Sequence, residues 1–190
     1  MAFSVRWTSA DLEALPDPLD DTRYEIIDGE LFVAKQPTLE HQYACGQLYG
    51  ALQAWSEQTG LGLAVFAPGI IFAEDDNVAP DVVWMSRRRL RTAVGADRKL
   101  HEPPELVVEV LSPGPSNERR DRDAKFKLYA RRGVEEYWIV DPGQRRAELF
   151  RRDGPTFRLA ESPDAETDLQ SPLLPGFKHP VGRLFWPDEF

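Results

Sequence analysis

The stretch "PELVVEVLSP", residues 104–113, limits what this chain can become more than any other part of it. Leu106, Val107, Val108, Val110 and Leu111 form a near-continuous apolar run, as in a strand buried on both faces. Glu109 interrupts that run. A carboxylate there is costly to bury unless a cation pairs with it or it coordinates a metal.

The flanking segments supply the layers that such a strand needs. "TSADLEALP" reads as a short helix with Thr8 or Ser9 as its N-cap and Pro16 at its end. "YEIIDGELFV" reads as a hairpin, because Asp28-Gly29 suits a type I′ turn. A long helix follows over residues 38–59, closed by Gly60, with His41, Cys45, Leu48, Leu52 and Trp55 on one core-facing stripe. "GLAVFAPGIIFA" and "VAPDVVWM" read as two strands around the turn "EDDN". After the central strand, a helix is expected over residues 116–132, stopped by Gly133, and then the strand "EEYWIVD". "RAELFRR" and "TFRLA" form a closing hairpin, and the Pro-broken tail packs over the body. Interleaved strands and helices predict an α/β fold, a mixed sheet flanked by helices. A length of 190 residues with no linker-like stretch predicts one domain over 1–190.

A net charge of −9 argues against nonspecific wrapping of nucleic acid. The charge is uneven, however. Residues 86–101 carry six basic groups against one acid, either a solvated loop or a phosphate-contacting patch at Arg87, Arg88, Arg89 and Arg91. The lone Cys45 excludes an internal disulfide and cannot by itself build a zinc site. The N-terminus has no apolar signal region and no run approaches the roughly 20 apolar residues of a membrane span, so a soluble, cytoplasmic protein is expected.

Three chemistry-bearing residues then align. Asp81 immediately precedes the strand residues Val82, Val83 and Trp84, and Glu109 interrupts the central strand. At roughly 100° per residue, Asp121, Lys125, Leu128, Tyr129 and Arg132 share one helical stripe, so Lys125 faces the sheet while Lys127 points to solvent. Two carboxylates and a lysine suit a hard cation such as Mg2+, with Mn2+ as substitute, acting on phosphate. The plainer alternatives are a turn residue for Asp81, a structural ion pair with an arginine for Glu109, and a Lys125–Asp121 pair. Tyr129, Tyr137 and Trp138 are assigned to the core, and His101 and His179 to the surface.

In combination, "YEIIDGEL", a histidine near the start of the following helix, "APDVVW", "PELVVEVLSP", "DRDAKFKLYARRGVEEYWIVD" and "SPLLPGF" resemble the Uma-two family of restriction-endonuclease-like proteins. That family lies within the PD-(D/E)xK nuclease superfamily, and the resemblance runs from "WTSADLEALP" to "GRLFW". It implies a restriction-endonuclease-like core with Asp81 as the PD aspartate and Glu109 as the acid of the E-x-K element. The third position of that element is Leu111 here, and the resemblance moves the lysine to Lys125 on the next helix. Glu25 and His41 are further candidates, Glu25 as an additional metal-side acid and His41 to position water or contact phosphate.

The expected function is a Mg2+-dependent endonuclease acting on nucleic acid, DNA before RNA, with Asp81 and Glu109 as metal ligands and a homodimer supplying two sites. The competing classes are a catalytically weak or silent nucleic-acid-binding or regulatory module that retains the fold, and a metal-assisted hydrolase of a small phosphorylated compound.

Overall fold

The computed structural model describes residues 5–15 and 22–187. Helix α1 (Ser9–Ala14) is capped by Thr8, whose N–H donates to Asp11 Oδ2 at 2.8 Å; Pro16 lies outside the described residues. Strands β1 (Arg23–Ile27) and β2 (Glu30–Ala34) form the expected hairpin. Asp28 and Gly29 take φ of 53° and 77°, the two positive angles that a type I′ turn needs. Helix α2 (Leu39–Thr59) starts at the Thr38 side chain and ends at Gly60, whose φ of 68° suits a residue without Cβ. Its stripe of His41, Cys45, Leu48, Leu52 and Trp55 is buried throughout.

The two stretches read as single strands each divide. The first becomes β3 (Gly62–Phe66) and β4 (Ile70–Ala73); the second gives β6 (Val82–Ser86) and, through Val78, the end of β5 (Asp76–Val78), which takes Asp76 and Asn77 from the expected turn. Pro68 and Pro80 have no N–H to extend a ladder, and Ala67 turns the chain at φ 45°. The halves then join different sheets. Strands β4 and β5 pair with the hairpin in the order β2-β1-β5-β4.

Strands β3 and β6 join the larger sheet. Helix α3 (Arg87–Ala93) leads from β6 to β7 (Leu106–Val110). Next come α4 (Pro115–Arg119), a π-helical turn (Arg120–Lys125) and α5 (Phe126–Arg132), then β8 (Glu136–Asp141), β9 (Arg146–Asp153) and β10 (Thr156–Glu161). The six-stranded order is β10-β9-β8-β7-β6-β3, with β7 and β8 parallel and the other pairs antiparallel. The parallel pair requires the helical crossover between its strands.

The helix expected over residues 116–132 is therefore not uniform. Its middle widens into the π turn, a geometry that often marks functional positions. The Tyr137 hydroxyl donates to the Asp121 carbonyl at 2.9 Å and ties the widened turn to the sheet.

Strand β7 divides the core in two. Leu106, Val108 and Val110 pack with Leu48 and Leu52 of α2, and the tail contributes Leu174, Phe177 and Leu184 to that side. Val107 and Leu111 pack with Leu128 and Tyr129 of α5. Tyr129, Tyr137 and Trp138 are fully buried in these layers. With a period of two, Glu109 shares the face of Val107 and points at α5.

Gly62 shows how tightly β3 sits on β6. A Cβ there would lie 2.3 Å from the Met85 carbonyl oxygen and 2.5 Å from the Trp84 ring, whereas a Cβ at Gly50 in α2 meets nothing within 4 Å. Gly62→Ala should cost about 1–3 kcal/mol in urea unfolding. Gly50→Ala should instead stabilise by up to about 1 kcal/mol. A Gly62→Ala protein as stable as wild type would show that β3 does not hold this register.

Candidate active site

Five elements converge at the C-terminal end of β7. Strand β7 delivers Glu109, and the chain entering β6 delivers Asp81. The N-terminal turn of α2 delivers His41, β1 delivers Glu25, and the π turn delivers Asp121 and Lys125. All six are buried.

The Lys125 ammonium is the hub. Its Nζ lies 2.9 Å from Glu109 Oε1, 2.9 Å from Glu25 Oε1 and 3.8 Å from Asp121 Oδ1. The Tyr129 hydroxyl also donates to Glu109 Oε1, at 2.9 Å. Glu25 Oε1 accepts the Ala79 N–H at 2.8 Å, and Arg120 Nε stands 2.8 Å from Asp121 Oδ1 and 3.7 Å from Glu25 Oε2.

Asp81 Oδ2 accepts the Val110 N–H at 2.9 Å, which joins the entry of β6 to the residue after Glu109. His41 Nε2 stands 3.2 Å from the same oxygen, and Arg23 NH1 is 3.6 Å from Asp81 Oδ1. Asp81, Glu109, Lys125, Glu25 and His41 thus line one cleft of ≈ 510 Å³, together with Arg23, Lys35, Ser112 and Arg120.

Charge among the buried groups at the floor of this cleft is unbalanced, with Glu25, Asp81, Glu109 and Asp121 around Lys125. Burial pushes the Glu109 carboxyl up to about 8 despite the Lys125 ammonium, with Asp81, Asp121 and Glu25 adding repulsion. Burial likewise raises Asp121. Burial opposes ionisation of Asp81 too, but the hydrogen bond to His41, the Lys125 charge and the Val110 N–H hold its carboxyl below the usual range. Lys125 remains cationic, because Glu109, Glu25 and Asp121 outweigh the burial that disfavours its charge.

Behind Asp81, Cys45 Sγ lies 3.6 Å from His41 Nδ1. Burial, with the charges of Asp81 and Glu109, pushes the thiol up, so Cys45 stays protonated. His41, Cys45 and Asp81 each present a ligand-type atom within 4.8 Å of the others. The spacing of four on α2 already places Cys45 beside His41; the tertiary structure adds Asp81 to the pair.

The basic run is elsewhere. Helix α3 begins where β6 ends, so Arg87, Arg88, Arg89 and Arg91 start a strand length away from Asp81, roughly 17 Å for five residues. Arg89 is also engaged, at 3.2 Å from Glu105 Oε1 and 2.8 Å from Glu135 Oε1. These four arginines are therefore not among the residues that line this cleft. The cations that line it beside Lys125, namely Arg23, Lys35 and Arg120, are scattered through the sequence and form no run. His101 is exposed, while His179, also expected at the surface, is half-buried.

Lys127 is exposed and pairs with Asp123, as its position on the helix predicts. Lys125→Met should destabilise the fold by about 3–5 kcal/mol, because it leaves buried carboxylates without their cation. Lys127→Met should stay within about 0.5 kcal/mol of wild type in the same denaturant titration. The Glu109 shift carries its own pH signature. The folded state keeps this proton up to about pH 8, while the unfolded chain releases it near 4.5. The stability linked to it is fully present below the unfolded value and lost as pH rises through the folded one. The difference in unfolding free energy between wild type and Glu109→Gln should therefore decline across that window, and a flat difference would mean an ionised Glu109.

Comparison with known proteins agrees with this architecture. No curated protein matches the chain. A crystal structure described as "a putative nuclease belonging to DUF820 from Anabaena variabilis" superposes with a TM-score of 0.73 at 14% identity, covering 94% of this chain and 97% of that one. At that identity the likeness establishes the fold, a mixed sheet flanked by helices. No helix among the described residues is long and apolar enough to cross a membrane. The pattern of the Uma2 family, described as "Putative restriction endonuclease", matches residues 9–182, and the chain belongs to that family.

Proposed function

We propose that this protein is a divalent-cation-dependent nuclease that hydrolyses phosphodiester bonds of nucleic acid, with DNA as the first substrate to test. One observation carries the reading. Asp81, Glu109, Glu25 and Asp121 bring four buried carboxyl groups together around one buried cation, Lys125, with Arg120 half-buried beside them and Arg23 and Lys35 only at the mouth. A low-dielectric site with that deficit takes up protons, as Glu109 does, or a cation.

The donors fit a hard cation. Among the described residues, the hydrogen bonds that Glu109 accepts from side chains both fall on Oε1, and the cation paired with Asp81 Oδ1 is Arg23, at 3.6 Å. Asp81 and Glu109 would hold Mg2+ or Mn2+, which when bound neutralises phosphate charge and acidifies a bound water. Around it, Lys125 offsets charge developing on the phosphate, and Glu25 and Tyr129 hold the ammonium and the Glu109 carboxylate in place. His41 fixes Asp81 through Oδ2. Arg23, Lys35 and Arg120 line the cleft where the substrate's phosphates would enter.

The runner-up is a nucleic-acid-binding module without turnover. The Glu109–Lys125–Tyr129 contacts favour it, since they are complete without any metal. It predicts salt-dependent DNA affinity indifferent to Mg2+, and no cleavage.

Calorimetric titration with Mg2+ and Mn2+ separates the two readings. Wild type should bind, Glu109→Ala should not, and below about pH 8 uptake should release a proton. Asp81→Asn and Glu109→Gln should each lower cleavage of DNA by about 10²–10³-fold with the fold intact. Absence of binding even with a DNA oligomer present would leave the binding module as the better reading.

A further inference from the structure

Two grooves continue the cleft in different directions. One, of ≈ 380 Å³, runs between β2 and α4, and Arg120 forms a wall common to it and the cleft. Phe32, Val33 and Pro115 line it as apolar surface, with Arg119 and Arg120 as cations and Glu30 as a carboxylate. The other, of ≈ 540 Å³, shares Ser112 with the cleft and carries three carboxylates, Glu40, Glu118 and Asp141.

We infer that the substrate is a single strand of nucleic acid, whose nucleotide next to the scissile phosphate lies in the β2–α4 groove. The inference rests on the nuclease reading above and specifies its substrate class. Depth is the first reason. Lys125, Glu25 and Glu109 are 1–2% exposed, at the floor of the cleft. A duplex carries its phosphates on a stiff cylinder, whereas an unpaired strand has a flexible backbone that can bring one phosphate down to that floor.

Charge is the second reason. Duplex affinity comes mainly from neutralising phosphates across a basic surface, and this chain has a net charge of −9. Single-strand sites combine a few cations with apolar or aromatic surface under the bases. The β2–α4 groove has that composition. Val33 is 55% exposed there, and Arg119 is exposed without an ion pair among the described residues. The carboxylates of the other groove repel a polyanion, which fixes the side from which the strand enters. One site suffices for one strand, so this substrate does not need the second site that a duplex cutter takes from a homodimer.

The test is binding of fluorescein-labelled oligothymidylate of about ten nucleotides, and of a blunt duplex of equal length, to the full chain in chelator so that nothing is cut. The single strand should bind at least about tenfold more tightly than the duplex. Val33→Glu and Arg119→Glu should each weaken single-strand binding about fivefold or more, and Arg119→Glu should lower the salt dependence by about one phosphate contact. Both positions are exposed, so folding is preserved; Glu40→Gln in the other groove should not weaken binding. Equal affinity for duplex, no binding of either probe, or indifference to both groove variants overturns the inference. Cleavage by wild type with Mn2+ is scored separately. Strand-selective binding without cleavage would keep the single strand and its groove as the ligand and its site but sink the nuclease reading, and cleavage without strand preference would do the reverse.

Discussion

A single ammonium, Lys125 Nζ, holds the candidate site of this protein together. It is bonded to Glu109 on the central strand and Glu25 on the smaller sheet, with Asp121 of its own turn at 3.8 Å. These contacts join the two sheets and the crossover helix at one buried point. Carboxylates this deep would repel one another and shed their charge without a cation among them. The π turn is the local means of placing that cation, because it carries Asp121 and Lys125 to the interior with Arg120 half-buried beside them.

The remaining architecture serves to bring partners to this point. Strand β7 is buried on both faces, so its alternation sends Val108 and Val110 to α2 and Glu109 to α5. The parallel pairing of β7 with β8 requires the crossover that carries Lys125. The breaks at Pro68 and Pro80 separate β4 and β5 from the large sheet, and the Pro80 break leaves Asp81 at the open end of β6. There its carboxylate takes the Val110 N–H and stands beside His41. A local rule about proline thus decides where an acid of the site sits.

Much of this was legible in the chain itself. The Asp28-Gly29 hairpin, the Gly60 and Gly133 stops, the buried stripe of α2 and the inward face of Lys125 follow from short-range geometry, and all occur in the structure. Reading "GLAVFAPGIIFA" as one strand failed because apolar periodicity does not register the missing N–H of Pro68 or the turn at Ala67. The arginines of α3 drew attention as a run, yet direction along β6 carries them away from the cleft.

What the sequence determined by itself is what depends on neighbours within a few residues: turn type, helix ends, which faces are apolar, and that Glu109 needs a partner. The resemblance carried by its motifs identified the family and the candidate acids. Only the tertiary structure decided which partner Glu109 has, and that Arg23, Lys35 and Arg120 line the cleft while Arg87, Arg88, Arg89 and Arg91 lie outside it. The physical reason is that these contacts join residues far apart in the chain. Their distances are set by sheet order and strand direction, and no local pattern of side chains encodes either.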